Sequence, residues 1–130
     1  MIFRSYTGSD DEAIKSMLNK EGIIEEDMAF GQYPTYILED KDEPIGFITI
    51  KEEHGYPSLQ HLCVRADRRM ITPARLLIKM FRYIGRLWGG KKGIIHIKHD
   101  SARLKKLIEY YFKVKPYATE NERYWYFVNL

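Results

Sequence analysis

Sulfhydryl chemistry is nearly absent from this sequence, in which Cys63 is the only cysteine. No disulfide can close within the chain, and no thiolate cluster can hold a metal. A lone cysteine fits a reducing, cytoplasmic setting. Long apolar runs are missing as well. None approaches the ~20 residues of a membrane span, and the opening Met1-Ile2-Phe3-Arg4-Ser5-Tyr6 holds no run of signal-peptide length. A membrane is therefore not expected as a partner. Charge of one sign is scarce: 21 Lys and Arg face 18 Asp and Glu, for a formal net charge of +3. That balance permits an anionic ligand without demanding a nucleic acid. Repeats and low-complexity segments are absent too. What is present is core material, 45% hydrophobic and 14% aromatic over 130 residues. This suffices for one folded domain spanning 1–130.

Periodicity and turn chemistry predict the elements. Residues 2–6 read as a strand, ending at Thr7-Gly8-Ser9. Ser9 or Asp10 then caps a helix to about Lys20, with Ala13, Ile14, Met17 and Leu18 on one face. Residues 23–33 are ambiguous and hold a short helix around Glu25–Phe30. Tyr36–Leu38 and Ile45–Ile50 form a hairpin across the charged turn Glu39–Pro44, and a turn at His54–Pro57 leads to a strand at Leu59–Val64. Thr72 caps the longest helix, with Pro73 at its first position. Its apolar stripes are Ala74, Leu77, Ile78, Phe81, Ile84 and Trp88, then Leu76, Met80, Tyr83 and Leu87. Only a narrow polar strip remains, and Gly89-Gly90 stop the helix. A buried strand at 93–97 follows. The last helix is capped by Asp100 or Ser101, runs to about Phe112, and precedes two strands near 114–119 and 124–129. The order β-α(α)-β-β-β-α-β-α-β-β predicts an α/β fold with a mixed sheet.

The junction from Leu62 to Ala74 carries the clearest chemistry. A buried strand enters a helix through a short basic loop. Free N–H groups and the positive dipole end at a helix start suit a phosphate. Arg68, Arg69 and Arg75 add donors that can grip phosphate oxygens in pairs. An ordinary capped helix with solvated arginines would read the same way.

Element order and this loop together resemble the GNAT superfamily of N-acetyltransferases. That superfamily's acetyl-coenzyme A loop reads Gln/Arg-x-x-Gly-x-Gly/Ala, and here it stands as Arg69-Met70-Ile71-Thr72-Pro73-Ala74. The first and last positions match. Thr72 replaces the glycine that lets a backbone approach a pyrophosphate, although its hydroxyl can bond a phosphate oxygen. Pro73 has no N–H to donate. The resemblance implies acetyl-coenzyme A as cosubstrate and transfer of an acetyl group to a primary amine in a ternary complex. It implies that Cys63 and Val64 offer backbone groups to the pantetheine arm and thioester. Arg68, Arg69, Met70, Thr72, Ala74 and Arg75 would hold the pyrophosphate end. A second partial match is Tyr110-Tyr111-Phe112-Lys113. Tyr111 falls where many members of the superfamily carry the proton donor to the leaving thiolate. Helical spacing sets it on the face of Leu104, Leu107 and Ile108. A core tyrosine with a satisfied hydroxyl fits equally well.

An acceptor amine is protonated at neutral pH, so a base must relieve it. The superfamily often places a glutamate on the strand before the loop, whereas Ser58–Val64 has no carboxylate. His61 is the nearest titratable group, and its unperturbed pKa suits a base. Strand alternation puts His61 and Cys63 on one face, and Leu62 and Val64 on the other. A structural or exposed histidine is the competing reading. Glu52, Glu53 and His54 sit at a turn and read as solvated. Cys63 reads as inert strand packing. His96 and His99 flank a strand end without a carboxylate cluster, so no metal site is expected. Arg75, Lys79, Arg82 and Arg86 read as the wet face of their helix.

The acceptor should lie between 23–33 and the turn at Glu120–Arg123, where Glu25, Glu26 and Asp27 can attract a cation. The aromatic strand Tyr124–Val128 offers a route to a homodimer. Two rival readings stay open. One is a GNAT-like binding protein without catalysis, favoured by the altered loop and the missing carboxylate. The other is a small basic nucleic-acid module built on the arginine strip, which is not the expectation.

Overall fold

The computed structural model describes residues 1–20, 33–69 and 71–130. The helix expected around Glu25–Phe30, the acids Glu25, Glu26 and Asp27, and the loop residue Met70 lie outside the described residues. The described elements are β1 (Ile2–Ser5), α1 (Asp11–Lys20), β2 (Thr35–Asp40), β3 (Glu43–Glu53), β4 (Tyr56–Val64), α2 (Ile71–Leu87), β5 (Lys92–Lys98), α3 (Ala102–Phe112), β6 (Ala118–Glu120) and β7 (Arg123–Asn129). The strands join in one mixed sheet, ordered β1-β2-β3-β4-β5-β7-β6. Neighbours run antiparallel except β4 and β5, which run parallel. No helix of the described residues is long and apolar enough to cross a membrane.

Three two-residue turns close the hairpins. Lys41-Asp42, His54-Gly55 and Asn121-Glu122 all have positive φ at both positions. That geometry matches the right-handed twist of paired strands. The turns are tighter than the charge pattern predicts, so β2 and β3 extend further than their apolar centres.

The two sheet faces bury different helices. Ile14, Met17 and Leu18 of α1 pack with Ile37, Phe47 and Cys63 on one face. Leu77, Ile78, Phe81 and Ile84 of α2, with Ile108 of α3, pack over Ile48, Ile50, Leu59, Ile95 and Tyr126 on the other. Each fully buried large aliphatic side chain contributes about 1.5–3 kcal/mol. Gly46 lets α2 sit close to the sheet. A Cβ there would stand 2.9 Å from the Cys63 carbonyl and 3.2 Å from Leu77.

Helix ends depart from the sequence reading in three places. Neither Ser9 nor Asp10 caps α1. A short 3-10 turn, Gly8–Asp10, precedes it, and Asp10 turns back to accept the Thr7 N–H at 2.9 Å. The longest helix starts at Ile71, so Thr72 lies inside its first turn and is no cap. Pro73 is tolerated there because first-turn N–H groups have no partner within the helix. Finally, Trp88 falls past the end of α2 and is exposed, as are Tyr83 and Leu87, so the second stripe is not wholly buried. The stop itself follows the sequence. Gly89 adopts φ +83, and the Gly90 N–H donates to the Gly85 carbonyl at 3.0 Å.

Candidate active site

One extra residue shapes the centre of the sheet. Thr49 pairs with His61 and Ile50 with Leu59, so Gln60 is a bulge in β4. A bulge bends its strand and sharpens the twist. Before it, Leu59 faces α2; after it, His61 and Cys63 turn toward α1, while Leu62 and Val64 turn toward α2. The parallel pairing between β4 and β5 is confined to Ser58 with Ile94 and Leu59 with Ile95. Beyond these the strands part.

A cleft of about 660 Å³ opens where they separate. Its walls come from β4 beyond Leu59, from the end of β5, from the entry to α2, and from the first turns of α3. The edge of β4 that faces β5 has no strand partner past Leu59. Such an edge offers peptide donors and acceptors to an extended, amide-bearing ligand, as an added strand would meet them.

The cleft gathers part of the expected set. His61, Cys63, Val64, Arg69 and Ala74 all line it. Arg69 donates from Nε to the Val64 carbonyl at 3.3 Å, so that acceptor is already engaged. The other arginines go elsewhere. Arg68 is tied to Asp40 at 2.6 Å, which draws it to β2, and it does not line the cleft. Thr72 and Arg75 are exposed and also outside the lining. Tyr111 is half-buried against the main core, edge-on to Phe112 at 4.9 Å. Leu104 and Leu107 of its helical face line the cleft, and Tyr111 sits one turn beyond them.

Electrostatics changes the reading of His61. Burial, then the neighbouring His96, Arg123 and Lys98, push its pKa down to about 4. The sequence argument from an unperturbed value therefore fails, and His61 is uncharged at neutral pH. His96 is likewise pushed down to about 4, first by burial and then by Arg123. It stacks on Trp125 with ring centres 4.5 Å apart, and its Nδ1 lies 3.2 Å from Nη1 of Arg123. Nδ1 of His61 and Nε2 of His96 are buried without a hydrogen-bond partner among the described residues. Burial pushes the Cys63 thiol up to about 11, which keeps it protonated and unreactive.

Several lining residues escaped sequence reasoning. Lys98, Arg103 and Arg123 face the cleft from the end of β5, the start of α3 and the start of β7. Their signal was absent because each is an isolated cation in a different element. Glu53, read as solvated, is half-buried and accepts from Gln60 Nε2 at 2.9 Å and from Ser58 Oγ at 3.3 Å. It thereby holds the bulge residue. The aromatic final strand is not a free edge along its first half, because β6 covers Arg123, Tyr124 and Trp125. Among the described residues, no group of His, Cys, Asp and Glu is placed to hold a metal ion.

This mixed sheet with helices over both faces is GNAT-like in fold, by its likeness to solved structures. These structures superpose on nearly the whole chain. An aminoglycoside 6'-acetyltransferase type Ii superposes with a TM-score of 0.80 at 17% identity, covering 99% of this chain and 97% of that one. An aminoglycoside 6'-N-acetyltransferase complexed with coenzyme A gives 0.73 at 16% identity, covering 99% and 97%. The ribosomal-protein-S18-alanine N-acetyltransferase from Escherichia coli gives 0.71 at 13% identity, covering 99% and 92%. No known family matches by sequence, and no curated protein does so either.

Proposed function

We propose that this chain transfers an acetyl group from acetyl-coenzyme A to the nitrogen of a primary amine, with both substrates bound together. The carrying observation is the parting of β4 and β5 beyond Leu59 and Ile95. The exposed peptide edge of β4 suits the two amides of a pantetheine arm. Arg69 at the entry to α2 and Arg103 at the start of α3 supply charge for the diphosphate end. A related fold carries coenzyme A in a solved complex, which supports the same use here.

In the reaction the amine nitrogen attacks the thioester carbonyl, a C–N bond forms, and the C–S bond breaks. The proton lost by nitrogen goes to uncharged His61, and the leaving thiolate takes one from Tyr111. Positioning in the cleft supplies most of the rate. Arg68 falls outside this reading because Asp40 holds it. A cytoplasmic setting belongs to the same proposal, since acetyl-coenzyme A and a reduced Cys63 coexist there.

Calorimetry with acetyl-coenzyme A tests the binding half, and thiol release with a broad amine panel tests the chemistry. We expect one site per chain, weakened about tenfold or more in Arg69→Glu, where a charge-assisted pair becomes a repulsion. A chain that does not bind acetyl-coenzyme A ends the proposal. Binding without thiol release across the panel would favour a binding protein of the same fold.

A further inference from the structure

The two ends of the cleft present different chemistry. Arg69 and Arg103 stand at the starts of α2 and α3. Arg123 and Lys98 are cross-strand partners at the far ends of β7 and β5. Alternation along both strands sets them on the face of His96 and Trp125, which is also the face to which the bulge turns His61. This is the side left for an acceptor if the diphosphate end stays with the helix starts.

That acceptor end is basic along the cleft wall, with Glu120 opposite Arg123 and Glu53 near His96 as the acids just outside it. The Arg123 side chain hydrogen-bonds the His96 ring and forms no salt bridge among the described residues, although Glu120 is its cross-strand partner. Like charges directly opposite on paired strands are destabilising, so Lys98 beside Arg123 favours an anion in the cleft, and Glu120 on the other side of Arg123 offsets part of that charge. Among the described residues lining the cleft, Asp100 is the sole acid against Arg69, Lys98, Arg103 and Arg123. The acceptor end thus offers a guanidinium fork, an ammonium and two imidazoles with unpartnered nitrogens. A planar monoanion satisfies the fork in two bonds. A polyamine would bring further positive charge against it.

Resting on the acyltransferase reading, we propose that the acceptor is an amino-acid-like amine, carrying a carboxylate within a few bonds of its nitrogen, and that Arg123 receives that carboxylate. His96 orients the guanidinium, and Lys98 adds attraction at longer range.

The test uses acetylated products, so that it reads the acceptor end without coenzyme A. N-acetylphenylalanine, N-acetylphenylalaninamide and N-acetylphenethylamine are titrated calorimetrically into the wild type, Arg123→Gln and Arg123→Lys. We expect the acid to bind at least tenfold tighter than either uncharged analogue. Arg123→Gln should reduce that ratio to about one, and Arg123→Lys should keep part of it. Equal binding of acid and phenethylamine derivative would overturn the assignment, as would a ratio that survives Arg123→Gln. An amide that binds as tightly as the acid would also overturn it, pointing to a peptide acceptor. Failure of acetyl-coenzyme A binding is read in a separate titration and bears on the transfer reaction alone.

Discussion

Single side chains in the cleft are governed by what burial does to their protons. Cys63 stays a thiol and His61 stays neutral, both because the charged form loses hydration without gaining an opposite charge. A neutral His61 can accept the amine's proton but holds it weakly, so it suits passing a proton onward. Tyr111 sits one turn past the lining residue Leu107. If it protonates the leaving thiolate, Tyr111→Phe should lower kcat about tenfold or more. Calorimetric affinity for acetyl-coenzyme A should not change. Wild-type turnover in a variant of unaltered melting temperature would remove Tyr111 from the reaction. The sequence placed Tyr111 by a motif, and a motif gives helix phase without depth in a cleft.

The joint between elements at the start of the chain is built around one arginine. Arg4 on β1 reaches Asp10 through two bonds of 2.7 and 2.8 Å and Glu39 on β2 through one of 2.8 Å. It thus ties the entry of α1 to the first two strands. Asp10 is 3% exposed, and its carboxyl is held below the usual range chiefly by Arg4. Arg4→Met would strand that charge at a cost of about 3 kcal/mol. Urea unfolding should show it as a lower midpoint with unchanged slope, and adding Asp10→Asn should recover most of the loss. Additive losses in the pair would refute the coupling. Sequence reasoning gave Asp10 to a helix cap because local spacing favours that use. Arg4 lies only six residues before Asp10, but its bridge onward to Glu39 needs the return of the chain through β2, which no local window contains.

Across the whole molecule, the buried histidines and the paired acids set a sequence of acid-sensitive steps. His61 and His96 titrate near 4 in the fold against about 6.5 unfolded. Between those values the unfolded chain binds protons that the native one refuses, so stability falls as pH drops from about 6.5 to 4. Asp10, Asp40 and Glu109 are shifted downward by their hydrogen-bond partners, Glu109 to about 2 through Lys105 first and then Tyr126 and Lys115. Their contribution is present above the unfolded carboxylate range and is lost on further acidification. The melting temperature should therefore decline already between pH 6.5 and 4.5. A His61→Gln, His96→Gln double variant should flatten that stretch and leave the decline below pH 4 in place. An unchanged slope in the double variant would refute the assignment to the histidines.

The sequence by itself determined the order of the described elements, the α2 stop at Gly89, the inward stripe of α1 and the first stripe of α2 as far as Ile84. Each of these depends on neighbours within a turn or two, where periodicity and backbone preference act directly. It also placed His61 and Val64 on opposite faces. Only the tertiary structure decided the bulge at Gln60, the parting of β4 from β5, and the meeting of His61, His96 and Arg123. It likewise gave Arg68 to Asp40. These outcomes depend on strands far apart in the chain competing for the same partners, and that competition is resolved only when the sheet is assembled.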